Sequence, residues 1–254
     1  MNNVLFLAGM FWACCGCVLA AADDPDPRKV LEEARNATRK GQYEEALQKH
    51  LWYHENALKY SPSSSGVRLS FALSYWIELG EKYPKAREAL VSIRDKNTKA
   101  IGEGGGSFEL FHDVASINEY LKEDSKTVDL FKTLHEKKSD LCRLCYIVAE
   151  KNLTDQREYK ICSPYIPDPL ERFDAIREMR ERNLNFAEKD FPHMKEIGEN
   201  TFLEATCRVI AILAATGRTQ DAEKVREKAL AVRDDRPLRD GIEKALKAEQ
   251  KPKE

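Results

Sequence analysis

The hydrophobic periodicity of this 254-residue chain constrains its fold more than any other feature. Apolar residues recur at the i, i+3, i+4 and i+7 spacing of an amphipathic helix, and no run with the alternation of a half-buried strand stands out. A chain of this length is ample for a buried core. Residues 23–250 are therefore predicted to form an all-α domain of antiparallel helix pairs.

The first 22 residues differ from the rest of the chain because they carry no charge. An apolar run from Val4 to Ala22 ends in three alanines, and a polar, proline-containing stretch follows it. These features predict a signal peptide over residues 1–22 that directs the chain to the periplasm, the cell envelope or the outside of the cell. Two alternatives stay open: an uncleaved anchor, because about 19 residues just span a bilayer, and a lipoprotein modified at a cysteine of this run.

The remainder of the chain predicts a soluble protein that does not bind nucleic acid. No later segment approaches the length of a membrane span, and residues 251–254 predict a solvated tail. Lys plus Arg total 41 and Asp plus Glu total 43, which gives a net charge of −2. A nucleic-acid groove built on bulk charge needs an excess of cations that this balance lacks.

Two segments share a helix break followed by a helix with a small residue in its first turns. Ala46 follows Gly41, and Ala222 follows Gly217, at the same distance. Small residues at such positions let two antiparallel helices approach closely. Similar small or short apolar positions recur roughly 40 to 47 residues apart, a period typical of helical-pair repeats; they are Ala86, Val128 and Ala175.

At these residues the chain resembles the tetratricopeptide-repeat (TPR) family, most clearly over residues 28–60 and 203–233. Gly217, Ala222 and Ala229 stand at the family's spacing for the small residues of the second helix. The resemblance implies a TPR-like α-solenoid that binds a protein or peptide. It implies no enzymatic chemistry and no cofactor.

A second match to the same family lies at residues 76–83, which fit the letters W-x-x-L-G-x-x-Y. The family continues this helix, whereas Pro84 follows at once and would break it. We therefore interpret Trp76 and Tyr83 as a core residue and a loop residue of a degenerate repeat.

Exposed aromatic residues are the candidates for ligand contact in such an exported, non-enzymatic scaffold. Large aromatic side chains supply much of the contact area in binding surfaces, although any one of them can instead pack in the core. The candidates are Trp52, Tyr53, Tyr75 and Trp76.

Histidines support an alternative function. His50 and His54 are four residues apart and share one face of a predicted helix, as two metal ligands do. His112 and Asp113 form a His-Asp dipeptide, which is also found in metal-dependent phosphohydrolases. The alternative is an envelope metal-dependent hydrolase or a metal-binding protein that uses this set, unless the histidines simply pack between helices.

Cysteines allow a third function. The four that follow the predicted signal peptide are Cys142, Cys145, Cys162 and Cys207, an even number that permits disulfides in an exported chain. The first two form a C-x-x-C pair on one face of a predicted helix. Three interpretations stay open: packed thiols or a structural disulfide, a zinc site completed by Cys162 and His135, and a redox pair.

Overall fold

The computed structural model describes residues 24–189, 191 and 193–249, and within these ranges it is entirely helical, without a strand. The predicted all-α fold is confirmed. The predicted signal peptide at 1–22 and tail at 251–254 lie outside the described residues. Among the helices that are described, none is long and apolar enough to cross a membrane.

Thirteen α-helices make up this described part of the chain. The first seven are α1 (Pro27–Arg39), α2 (Tyr43–Tyr60), α3 (Ser65–Arg68), α4 (Phe71–Lys82), α5 (Pro84–Gly102), α6 (Phe108–Leu121) and α7 (Asp124–Glu136). The others are α8 (Leu141–Asp155), α9 (Tyr159–Cys162), α10 (Pro169–Lys189), α11 (Met194–Ala215), α12 (Thr219–Val232) and α13 (Arg236–Leu246). Short 3-10 turns at Pro62–Ser64 and Ser163–Tyr165 complete the set.

The two glycine breaks singled out in the sequence adopt the same turn. Gly41 ends α1 with a φ of 74° and Gly217 ends α11 with a φ of 80°, in the left-handed region that favours glycine. In both turns the residue after the glycine donates its backbone N–H to the carbonyl five residues earlier, at 2.9 Å and 2.8 Å. This is the hydrogen bond of a Schellman helix end, and it turns α2 back onto α1 and α12 back onto α11.

Most of the predicted small contact positions are buried between helices. Four of the five are completely inaccessible to solvent: Ala46, Ala86, Val128 and Ala222. The assignment of Ala175 is wrong, because this residue is exposed on α10. Phe173 and Ile176 take the buried side of that helix.

Helices contact mainly the helices that stand one or two places away along the chain. The buried apolar residues form three clusters. The first joins α1, α2 and α4, the second extends from α1 to α6, and the third runs from the end of α5 to α13. Helix α6 belongs to both larger clusters, since Ile117 packs in the second and Phe111 in the third.

Trp76 is a core residue and Tyr83 lies between two helices, as predicted from the sequence. Trp76 is 1% exposed in the second cluster, and its indole Nε1 donates to the carbonyl of Ala86 at 2.8 Å. Tyr83 separates α4 from α5, which begins at Pro84. The proline therefore breaks the helix where the family pattern would continue it.

A buried arginine ties α5 to α6 and to the start of α7. Arg94 is 2% exposed, and its Nη1 donates to Asn118 at 2.8 Å and to Glu123 at 2.6 Å. Lys126 and Arg94 together lower the pKa of Glu123 to about 2, so this carboxylate is charged at neutral pH. The charged guanidinium is thus satisfied by fixed acceptors although it lies in the core.

Candidate ligand-binding groove

A groove of about 370 Å³ lies between α1, α4 and the segment that joins α2 to α4. One face of helix α1 lines the groove with polar and charged side chains that recur every three or four residues. These residues are Arg28, Glu32, Arg35, Asn36 and Arg39. The opposite side of α1 packs Ala34 and Ala37 in the core. The amphipathic pattern of α1 thus places the charged face on the groove.

The groove combines free cations with aromatic surface. Within the described part of the chain, the guanidinium groups of Arg28, Arg35 and Arg39 have no ion-pair partner. The guanidinium carbon of Arg35 lies 4.0 Å from the centre of the Tyr75 ring, a cation–π contact that leaves the donors of its edge available. Phe71, which is 61% exposed, adds an apolar surface beside them.

The side of the groove opposite α1 is a short segment over residues 62–68, which we call the groove wall. It consists of one 3-10 turn followed by α3, and Ser63, Ser64 and Val67 line the cavity. Tyr53 forms the floor beneath it and lines the same cavity as Ser64. Burial raises the pKa of Tyr53, so its hydroxyl keeps its proton at neutral pH.

Arg68, the last residue of the wall, fastens it to two other helices. Its guanidinium donates to both carboxylate oxygens of Asp113 on α6, with Nη2 at 2.7 Å from Oδ2. Its Nε donates to the carbonyl of His54 on α2 at 2.8 Å. Such a bidentate, charge-assisted pair fixes orientation as well as distance.

His50 and His54 both lie against the indole of Trp76, and burial makes both imidazoles neutral. His50 stacks on the indole at 5.5 Å between ring centres, is 1% exposed, and has no partner for either ring nitrogen. Burial lowers its pKa to about 4. His54 meets the indole edge at 5.9 Å, and burial together with the charge of Arg68 lowers its pKa to about 4, although Asp113 opposes the shift.

The structure does not bring the four proposed metal ligands together. Nε2 of His54 lies 4.0 Å from Oδ2 of Asp113, but the guanidinium of Arg68 already occupies that carboxylate. His112 instead contacts Phe108, with 5.6 Å between ring centres. Across the described ranges, no group of three or more His, Cys, Asp and Glu side chains is placed to hold a metal ion.

The four aromatic residues predicted to contact a ligand also lie in different environments. Tyr75 lines the groove and Tyr53 lies at its floor, 2% exposed. Trp52 is half-buried and stacks on Tyr60 at 5.8 Å between ring centres. Trp76 is a core residue and cannot present its ring to a partner.

The cysteines are free thiols in the described structure. Cys142 and Cys145 lie in the first turns of α8 and are buried, as is Cys162. Burial raises the pKa of Cys145 and of Cys162 to about 12, and that of the half-buried Cys207 to about 11. Because thiolates are the species that attack disulfides and bind metals, the raised pKa values keep these three side chains in the less reactive thiol form at neutral pH.

A second, larger hollow of about 870 Å³ lies between α8, α9, α11 and α13. Acids on the same helices pair with part of its cationic rim: Lys151 with Asp155 at 2.6 Å, and Arg208 with Glu204 at 3.5 Å. We therefore place the candidate site in the smaller groove, where the arginines have no such partner in the part of the chain that the structure describes.

The sequence pattern alone predicts neither the arginines of the groove nor the anchoring role of Arg68. One local signal was present, because Arg35 and Arg39 stand one helical turn apart with like charges, an unfavourable arrangement that a ligand can compensate. Arg68 had no such signal, since its partner Asp113 lies 45 residues further along the chain. Comparison with known proteins finds no matching family model, no matching curated protein and no matching solved structure.

Proposed function

We propose that this chain is an exported, TPR-like helical scaffold that binds an acidic segment of a partner protein in the groove between α1 and α4. One observation carries the proposal: three guanidinium groups that pair with no acid among the described residues line a cavity that also contains the exposed Phe71 and the ring of Tyr75. The chain acts by holding its partner, and no enzymatic step is assigned to it.

The chemistry of the groove defines the ligand. Arginine guanidinium groups recognise carboxylates through paired N–H donors. The apolar ring of Phe71 and the side chain of Val67, which is 38% exposed, supply surface for one aromatic or aliphatic side chain. The preferred ligand is therefore an extended peptide with several Asp or Glu residues around one large apolar residue.

Packing along the chain supports the repeat part of the proposal. Contacts between neighbouring helices dominate, as in arrays whose units touch only adjacent units. The turns at Gly41 and Gly217 have the same hydrogen bond, and Ala46 and Ala222 are buried at the same distance after them. These two places behave as equivalent parts of a repeated unit.

A peptide titration tests the binding function. The probe is a fluorescein-labelled peptide of eight Asp and Glu residues around one Phe, followed by fluorescence anisotropy. We expect saturable binding to the full chain, and a loss of at least about tenfold in affinity for Arg35→Glu and Arg39→Glu, because each reverses a charge inside the groove.

Two controls make the titration specific. Lys29→Glu has the same charge change on an exposed position of α1 that does not line the groove, so it should bind like the wild type. A peptide with Lys in place of every acid should not bind. Equal losses for Lys29→Glu and Arg35→Glu, or equal binding of both peptides, would contradict a specific acidic ligand.

N-terminal sequencing tests the export part of the proposal. The uncharged apolar run and the alanines at its end motivate cleavage after Ala22. Exported protein should therefore begin at Asp23. Membrane-bound protein that retains Met1 would contradict cleavage.

A further inference from the structure

We propose that Arg68 is a strut that positions the groove wall, and that protonation of His54 releases the strut and so weakens ligand binding in acid. This inference rests on the function proposed above, because the wall is one side of the same groove. It concerns the regulation of that site and assigns Arg68 and Asp113 as positioning residues.

The wall needs an external anchor because it has little structure of its own. It contains one 3-10 turn and a four-residue helix, α3, so few backbone hydrogen bonds hold it. At its end, Arg68 reaches the carboxylate of Asp113 on α6 and the carbonyl of His54 on α2. One side chain therefore links the wall to two helices that belong to the core.

Neutral His54 is compatible with this anchor. Its Nε2 lies 3.2 Å from Nη2 of Arg68, so the unprotonated nitrogen accepts a hydrogen bond from the guanidinium. The charged or titratable groups that face His54 are Arg68 from α3 and Asp113 from α6, with His50 one turn back on its own helix. Helix α4 presents the uncharged indole of Trp76.

Protonated His54 is not compatible with it. The imidazolium would place a second positive charge 3.2 Å from Arg68 and turn an acceptor into a donor that faces a donor. Nε2 also lies 4.0 Å from the Asp113 carboxylate, so the two cations would compete for one anion. Because like charges repel strongly in a partly buried site, the guanidinium leaves and the wall loses its anchor.

Arg68 should be released from Asp113 only under acidic conditions. Burial and the neighbouring guanidinium lower the pKa of His54 to about 4, so the strut is intact at neutral pH and opens as the pH falls toward that value. Ligand carboxylates begin to lose their charge in the same range. A measurement on the wall itself, without a ligand, is therefore required.

Hydrogen exchange of the full-length protein between pH 7 and pH 4 provides this measurement. Protection factors, corrected for the intrinsic pH dependence of exchange, are compared for residues 61–70 and for α12 as an internal reference. In the wild type we expect protection of the wall to fall by about tenfold relative to α12. His54→Gln, which cannot acquire the charge, should keep the wall protected, whereas His112→Gln should respond like the wild type.

Asp113→Asn tests the strut at neutral pH. Loss of the carboxylate charge should expose the wall at pH 7 to the extent that acid exposes it in the wild type, and should weaken binding of the acidic probe peptide by about tenfold. If this variant does not fold, the comparison of His54→Gln with His112→Gln still decides the question.

Two outcomes would overturn the inference. They are loss of wall protection in His54→Gln at the same pH as in the wild type, and equal loss in α12, which would show general acid unfolding. The exchange experiment contains no peptide. Failure of the probe peptide to bind therefore contradicts the proposed acidic ligand, while the exchange result separately decides whether Arg68 holds the wall.

Discussion

Individual buried polar residues in this protein differ in whether they have partners. Arg94 is surrounded by acceptors from three chain segments, and Arg68 is held by a carboxylate and a carbonyl. His50 is as deeply buried but has no partner for either nitrogen. A satisfied group stabilises one arrangement of the helices, whereas an unsatisfied one reduces stability by about 1–3 kcal/mol.

The buried histidines should make the protein sensitive to acid. Their pKa values lie near 4 in the folded chain, below the usual 6.5, so the unfolded chain binds more protons between these pH values. Stability is therefore full above pH 6.5 and is lost as the pH falls toward 4, by up to about 1.4 kcal/mol per pH unit for each histidine. Urea denaturation at pH 7, 6, 5 and 4.5 measures this slope.

Substitution of one histidine should remove the contribution of that histidine to the slope. His50→Leu removes one titrating group and two unsatisfied nitrogens from the core, so it should also raise the stability at pH 7. His112→Gln is the matched control and should leave the slope unchanged. A slope that is the same in His50→Leu and in the wild type would show that His50 does not titrate as its burial predicts.

Arg94 should be among the residues most sensitive to substitution. Arg94→Met keeps the length of the side chain but leaves Asn118 without this donor and Glu123 with Lys126 alone, which should cost about 1–3 kcal/mol. Arg87→Met makes the same change at an exposed position of α5 and should have little effect. Similar melting temperatures for the two variants would contradict the role of Arg94 in joining α5 to α6 and to the start of α7.

At the level of elements, local sequence signals predict helix boundaries, but they do not predict the candidate site. The breaks predicted at Gly41 and Gly217 separate α1 from α2 and α11 from α12, because glycine acts on its own backbone. Helices α3 and α4 are instead separated at residues 69–70, where the sequence has neither glycine nor proline. The interruption lies next to Arg68, whose partner on α6 is a tertiary contact.

The candidate site was predicted only in part for the same reason. Tyr53 and Tyr75 were singled out as aromatic residues, and both line the groove. The arginines of α1 become a site only when the wall and α4 pack opposite them, and no periodic pattern specifies that arrangement. Trp76 was predicted to contact a ligand because its residue type is common at binding surfaces, but it is buried in the core.

The paired turns give a prediction for two elements at once. Ala46 on α2 and Ala222 on α12 have no accessible surface, so Ala46→Leu and Ala222→Leu should overpack the helix contacts and cost about 1–3 kcal/mol each. Glu45→Leu and Glu227→Leu change exposed positions of the same helices and serve as controls. Thermal denaturation followed by circular dichroism measures the effect, and equal losses at residues 45 and 46 would show that the assigned contact face is wrong.

The whole molecule is organised along the chain. Contacts between near neighbours mean that each helix depends mainly on the adjacent ones. The groove lies beside the first two clusters, while the larger hollow between α8 and α13 lies beside the third. Stability in such an arrangement is distributed among units, so one region can open while another stays folded.

This organisation predicts that damage at one end of the described chain remains local. Ala46→Leu should increase hydrogen exchange in α1, α2 and α4, which share its contacts, and should leave α11, α12 and α13 as protected as in the wild type. Ala222→Leu should have the opposite pattern, which makes each variant the control for the other. Hydrogen exchange with mass spectrometry at pH 7 resolves these segments. Uniform deprotection of all helices by either variant would show one cooperative unit and would contradict a repeat-like array, because such arrays transmit stability through nearest-neighbour interfaces.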